Sequence, residues 1–120
     1  MARILAVDDS PSMRHLMKLA LSSGGHEVDV ATDGVQALQV ADQHQFDVVI
    51  TDVNMPNMDG IALVRELRRR ANYRFVPLLM LTTEAAVDRK QQGREAGATG
   101  WLVKPFDPER LLSIVTKVLA

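Results

Sequence analysis

The chain has 120 residues, with 14 Lys and Arg against 15 Asp and Glu, and no cysteine. That length suits one domain with a real core and no appended output module. The near-neutral balance gives no reason for nucleic acid or an anionic membrane as the main partner. The lack of cysteine excludes disulfides, thiolate metal sites and a cysteine nucleophile. No secretory-type leader follows Met1-Ala2-Arg3, and no stretch approaches the ~20 apolar residues of a membrane span, so a soluble cytoplasmic protein is expected.

In chain order, Ile4 to Val7 reads as a strand leading to Asp8-Asp9. A first helix follows, with Ser10 as cap, Pro11 in its first turn, Met13, Leu16, Met17, Ala20 and Leu21 at helical spacing, and Gly24-Gly25 as its stop. Val28 to Ala31 is the second strand. The second helix starts on the capping-box spacing of Asp33 and Gln36, with Val35, Leu38 and Ala41 or Ala37 inward. Val48 to Thr51 is the third strand, closed by Asp52 and the turn-rich stretch that ends at Asp59-Gly60. The third helix turns Ile61, Val64 and Leu67 inward and finishes in Arg68-Arg69-Arg70, read as a solvated end whose cations suit the negative end of the dipole. Pro77 to Leu81 is the fourth strand, with Thr82 and Thr83 just beyond it. The fourth helix, from about Ala85 to Ala96, has the weakest pattern, because Gly93 interrupts it and its apolar positions are few. Gly97 suits its C-terminal cap, and the helix is the candidate mobile element. Gly100 to Val103 is the fifth strand, ahead of Lys104. The last helix follows Asp107-Pro108, with Leu111, Leu112, Val115, Val118 and Leu119 on one face.

Strands alternating with helices predict an α/β protein with a parallel sheet covered on both faces. Such sheets bind ligands at their carboxyl edge, where Asp8, Asp9, Asp52, Thr82, Thr83 and Lys104 all fall. Singly, each has an ordinary role: Asp8 or Asp9 steadies a helix N-terminus, Thr82 caps a helix, Lys104 is solvated. Jointly they point elsewhere, because three carboxylates at the switch point between the first and third strands repel one another unless protonated or bound to a cation. With only oxygen ligands in the pattern, the expected cation is Mg²⁺ or a relative, not Zn²⁺. Two carboxylates plus a backbone carbonyl after Asp52, such as that of Asn54, would leave positions for water and a phosphoryl oxygen. Lys104 adds a point charge and Thr82 a hydroxyl, so a phosphoryl group on Asp52 would be held from several sides. Asp52 is then the candidate nucleophile, in a transfer that depends on positioning and charge neutralisation and needs no dedicated base.

The ordered blocks Val7-Asp8-Asp9-Ser10, Thr51-Asp52-Val53-Asn54-Met55-Pro56, Asp59-Gly60, Leu81-Thr82-Thr83 and Lys104-Pro105-Phe106 resemble the receiver domain of bacterial two-component systems over essentially the whole chain. The resemblance implies a flavodoxin-like fold with strand order 2-1-3-4-5. It implies Asp52 as phosphoacceptor, Asp8 and Asp9 as the acidic Mg²⁺-binding pair, Thr82 as the switch hydroxyl and Lys104 as the phosphoryl-contacting lysine. It also implies a cis bond before Pro105, aiming the lysine into the site. Asn54 and Glu84 would flank the approach of water and tune phosphoryl lifetime, with plain loop polarity as the ordinary alternative. Trp101 departs from the family, which has Tyr or Phe at a position that changes rotamer; the indole either takes part in switching or simply packs beside the fifth strand.

Within the family the chain is similar to single-domain chemotaxis regulators, through its end after the fifth helix, Ser12-Met13-Arg14, Asn54 and Glu84. That implies a phosphorylation-activated response regulator, not an enzyme with a separate substrate. Its phosphoryl donor would be a sensor histidine kinase of chemotaxis type, and its target a protein such as the flagellar motor switch. It would assist its own phosphorylation and dephosphorylation, act as a monomer, and neither bind nucleic acid nor insert in a membrane. Alternatives are a phosphate sink or phosphorelay intermediate, and a haloacid-dehalogenase-type phosphatase. The phosphatase signature has a second Asp where Asn54 stands, and no cap domain is evident here. A nucleotide or flavin binder would need a phosphate loop after a strand, whereas Ser22-Ser23-Gly24-Gly25 follows a helix.

Overall fold

The computed structural model describes residues 1–83 and 89–120. Glu84 and positions 85–88 of the expected fourth helix lie outside the described residues. Five short apolar runs form the strands β1 (Arg3–Val7), β2 (Glu27–Ala31), β3 (Val48–Asp52), β4 (Leu78–Thr82) and β5 (Gly100–Val103). They pair in parallel in the order β2-β1-β3-β4-β5, as expected. Their register sets Ala6 beside Val30 and Ile50, and Ile50 beside Leu79. The helices are α1 (Pro11–Ser23), α2 (Gly34–Gln43), α3 (Gly60–Arg68), α4 (Lys90–Ala96) and α5 (Pro108–Leu119), with a 3₁₀ turn at Ala71–Tyr73. No helix among the described residues is long and apolar enough to cross a membrane.

Strand alternation divides the core in two. Leu5, Val7, Val49, Leu78 and Met80 join the cluster built with α2, α3 and Ala96 of α4, while Ile4, Ala6, Val48, Ile50, Leu79, Leu81 and Leu102 join α1 and α5. Both faces are thus covered, which is why the strands read as unbroken apolar runs. Asp52 and Thr82 are themselves the last residues of β3 and β4, one position earlier relative to the strand ends than the apolar runs indicate.

The helix starts follow their capping residues. Ser10 Oγ accepts from Met13 N–H, Asp59 Oδ1 from Ala62 N–H, and Asp107 Oδ1 from Arg110 N–H. At α2, Asp33 Oδ1 accepts from Gln36 N–H. The Gln36 side chain, however, reaches back to Thr32 N–H at 2.6 Å, one residue before the usual box partner.

Three expectations are corrected. Val35 does not face inward: it is 42% exposed, because α2 buries the stripe Gly34, Ala37 and Ala41. Gly34 sits so close to the loop before α3 that a Cβ would lie 2.7 Å from the Met58 carbonyl oxygen. The end of α3 is not a solvated arginine run. Arg68 turns back and donates to the carbonyls of Gly97, Tyr73, Arg74 and Val76 and to Thr99 Oγ1. Arg70 forks onto both carboxylate oxygens of Asp42 at 2.7 and 3.1 Å, a geometry suited to guanidinium–carboxylate pairing. Leu119, at the tail of α5, is 37% exposed, outside the buried face made by Leu111 and Val115.

Candidate functional site

The carboxyl edge of the sheet brings together residues from four strand ends. β1 delivers Asp8, whose carboxylate is buried; its Oδ1 accepts from Ser10 N–H at 2.9 Å, and its backbone carbonyl accepts from Arg14 Nη1 at 2.8 Å. Asp9 follows, exposed at the rim. β3 delivers Asp52, whose Oδ1 accepts from Val53 N–H at 2.9 Å, while no described residue donates to its Oδ2. The carboxylates of Asp8, Asp9 and Asp52 each place an oxygen within 4.8 Å of the others.

Lys104, just past β5, reaches into this group. Its Nζ lies 3.0 Å from Asp8 Oδ2 and 3.4 Å from Asp52 Oδ1. Its own N–H donates to the Thr82 carbonyl at 2.6 Å, and the Lys104–Pro105 peptide bond is cis. Thr82, at the end of β4, is buried, and its Oγ1 has no hydrogen-bond partner among the described residues. A buried hydroxyl without a partner is rare and calls for a group that completes it.

The floor of the site is held by close backbone packing. Gly60 N–H donates to the Val53 carbonyl at 2.8 Å, and a Cβ at Gly60 would collide with the Asp52 carbonyl oxygen. Only glycine lets α3 start directly on the strand end. In the same loop Asn57 has φ 68°, the left-handed region, and its Nδ2 donates to Asp33 Oδ2 at 2.7 Å.

Burial raises the Asp52 pKa; Lys104 opposes this and the neighbouring Asp8 reinforces it. For Lys104, burial favours the neutral amine, but the hydrogen bonds and charges of Asp8 and Asp52 outweigh it, and the net direction is up. The ammonium therefore stays protonated near neutral pH. The donor set fits a hard divalent cation: carboxylate oxygens only, converging at one edge, with no sulfur or imidazole among them.

Asn54 is exposed beside this group and does not point alone into solvent: its Oδ1 accepts from Arg89 Nη1 at 2.9 Å. Trp101 is half-buried against the α2–α3 side of the core. Two cations of α4 lie over its ring, Lys90 Nζ at 5.0 Å and Arg94 at 5.1 Å from the centroid. Trp101 pairs with Met80 in register, so it lies on the same face of the sheet as Thr82, two residues further along β4. Arg14 and Arg89 carry no sequence signal of their own for these contacts. Arg14 is one of several cations on an amphipathic helix, and Arg89 meets Asn54 across 35 positions of chain.

A five-stranded parallel sheet in this order, with an acidic cluster, a lysine and a buried threonine at its carboxyl edge, defines the CheY-like class of flavodoxin-type folds. The chain matches the model of the response regulator receiver domain over residues 4–116. It superimposes on the Vibrio cholerae chemotaxis protein CheY4 with a TM-score of 0.94, 51% identity and 99% of each chain covered. It is 38% identical to the protein PilH of Pseudomonas aeruginosa over 120 residues, 100% of this chain and 99% of that protein. The receiver domain of the sensor histidine kinase PA1611 of Pseudomonas aeruginosa PAO1, described with a magnesium ion in its active-site cleft, is 31% identical at a TM-score of 0.91, over 98% of this chain and 97% of that one. The chain spans about half the length of several other curated relatives, 49% and 50% in two cases. The chain belongs to the response regulator receiver domain family, the signalling domains of two-component systems.

Proposed function

We propose that this protein is a phosphorylation-activated response regulator that acts through a cytoplasmic receiver domain. Asp52 accepts a phosphoryl group from a phosphohistidine of a sensor histidine kinase. The phosphorylated domain then signals by binding a protein target, in chemotaxis and flagellar motor control. The observation that carries this reading is Asp52 Oδ2 at the sheet edge, to which no described residue donates, together with the Lys104 ammonium beside the same carboxylate and a buried threonine hydroxyl with no partner among the described residues. The likeness to CheY4 along 99% of both chains favours the chemotaxis assignment.

In the forward step, ionised Asp52 Oδ2 attacks phosphorus, the donor N–P bond breaks, and its electron pair returns to the donor imidazole. Lys104, held between Asp8 and Asp52, keeps a full positive charge beside the transferred group. Asp8, Asp9 and Asp52, with the Asn54 backbone carbonyl, would hold Mg²⁺, which supplies charge neutralisation for the phosphoryl oxygens. Thr82 can satisfy its hydroxyl by donating to a phosphoryl oxygen, which draws the end of β4 toward the site. Trp101 and α4 lie on the same side and follow. Hydrolysis by water returns Asp52 and releases phosphate, so the domain serves both of its own reactions. Glu84 joins Asn54 in this proposal as a residue that tunes the second step.

The test is incubation with acetyl phosphate and Mg²⁺, followed by intact mass, with Asp52→Asn beside the wild type. A phosphoryl mass gain confined to the wild type is expected, and no gain overturns the reading. Transfer from a phosphorylated chemotaxis-type kinase should outpace transfer from an unrelated sensor kinase; equal rates overturn the chemotaxis assignment.

A further inference from the structure

Arg89, immediately before α4, spans the mouth of the site with both ends of its guanidinium. Nη1 donates to Asn54 Oδ1 at 2.9 Å and Nη2 to Asp59 Oδ2 at 3.2 Å. Asp59 is itself fixed, because its Oδ1 accepts from Ala62 N–H as the cap of α3. The fork is therefore anchored on a rigid helix start, and the Asn54 amide is what it positions. Guanidinium has donors only, so it settles which way the amide faces: the oxygen must meet Arg89, and the free half is the Nδ2 donor. Among the described residues Nδ2 makes no hydrogen bond, and Asn54 stands two positions from Asp52.

That orientation has a chemical consequence. A water attacking phosphorus must give up a proton and is oriented by an acceptor; a donor in its place binds phosphoryl oxygens instead. We infer that Arg89 is a positioning residue that prolongs the phosphorylated state by keeping the side-chain oxygen Oδ1 of Asn54 away from the attacking water. This rests on Asp52 being the phosphoacceptor. Without Arg89 the amide turns about a broad two-fold torsion and offers its oxygen to water.

The experiment loads wild type, Arg89→Ala, Arg89→Lys, Asn54→Ala and the double Asn54→Ala/Arg89→Ala with acetyl phosphate and Mg²⁺, removes the donor, and follows loss of the phosphoryl mass. Melting curves report whether each variant is folded. Arg89→Ala should lose its phosphoryl group at least about threefold faster than wild type, as expected when one charge-assisted hydrogen bond ceases to bias the barrier. Arg89→Lys, with one ammonium unable to span both partners, should fall between. In the Asn54→Ala background, Arg89→Ala should change nothing further, a non-additivity that a merely structural role would not produce. Equal or slower decay in Arg89→Ala overturns the inference and leaves Asp52 as acceptor, and so does the same acceleration with Asn54 already removed. No mass gain in any variant overturns both.

Discussion

Replacing Arg68 by alanine should be among the most damaging single changes outside the apolar core. The side chain leaves the end of α3 and donates five hydrogen bonds at 2.7 to 3.2 Å, to the carbonyls of Gly97, Tyr73, Arg74 and Val76 and to Thr99 Oγ1. Those to Gly97, Tyr73 and Val76 are partly buried, and water cannot fully replace them. At about 1 kcal/mol for each of these and little for the two solvent-facing ones, the loss comes to about 3 kcal/mol. For a domain of this size that lowers Tm by about 12 °C. The effect is amplified locally, because Thr99 Oγ1 also accepts from Leu78 N–H at 3.0 Å, joining the start of β4 to the turn before β5. Arg68→Lys should recover less than half, since one ammonium cannot reach five acceptors spread over residues 73–76 and 97–99. Urea denaturation followed by far-ultraviolet circular dichroism gives the stability directly. A loss below about 1 kcal/mol for Arg68→Ala would refute the view that this guanidinium replaces a carboxylate partner with backbone carbonyls.

Burial raises the Asp52 pKa above its ordinary 3.8, so the native state holds that proton more tightly than the unfolded chain. The stability of the metal-free wild type relative to Asp52→Asn should therefore fall as pH rises from 3.8 through the native value, leaving Asp52→Asn the more stable protein at neutral pH. Melting temperatures of the two that run parallel from about pH 3 to pH 7 would contradict this. Mg²⁺ at about ten times its Kd should stabilise the wild type by about 1.4 kcal/mol, and Asp9→Asn by clearly less at the same concentration; equal shifts would remove Asp9 from the metal site. Gly60→Ala forces a Cβ onto the Asp52 carbonyl oxygen and should cost about 1–3 kcal/mol, measurable by urea denaturation, with a wild-type midpoint as the refuting result. Removing both Lys90 and Arg94 side chains takes two cations off the Trp101 ring, each contributing about 0.5–1 kcal/mol. The indole emission should shift to longer wavelength, and an unmoved spectrum would count against the stacked arrangement.

The strands, four helix starts and the convergence of Asp8, Asp9, Asp52, Thr82 and Lys104 on one edge were legible because they follow from short-range chemistry. Apolar runs, capping side chains and the polarity of a βα unit all act within a few residues. Val35 misled because its apolar character outweighs its position. One residue later than Gly34 on a helix is about 100° around it, and Gly34, with no side chain to advertise burial, is the residue that faces the core. The roles of Arg68 and Arg89 were not legible at all. A guanidinium is long and satisfied equally by carboxylate, carbonyl or water, so nothing in its neighbours along the chain says which partner 30 positions away it will meet. The cation stacking on Trp101 is hidden for the same reason, since Lys90 and Arg94 read as ordinary polar positions of a weak helix.

The glycine that seats α3 on the Asp52 carbonyl has a mechanical meaning. A helix welded to a strand end at backbone contact leaves no slack in that direction, so the floor beneath the carboxylate is stiff. α4 packs beside α3 on the same face of the sheet, buries only Gly93 and Ala96, and is tied at its two ends by Arg89 to Asn54 and Asp59 and by Arg68 to Gly97. A force developed at the Asp52 side chain therefore acts against a floor fixed by backbone contact, and α4, which buries little of its own surface, is the neighbouring element left to yield.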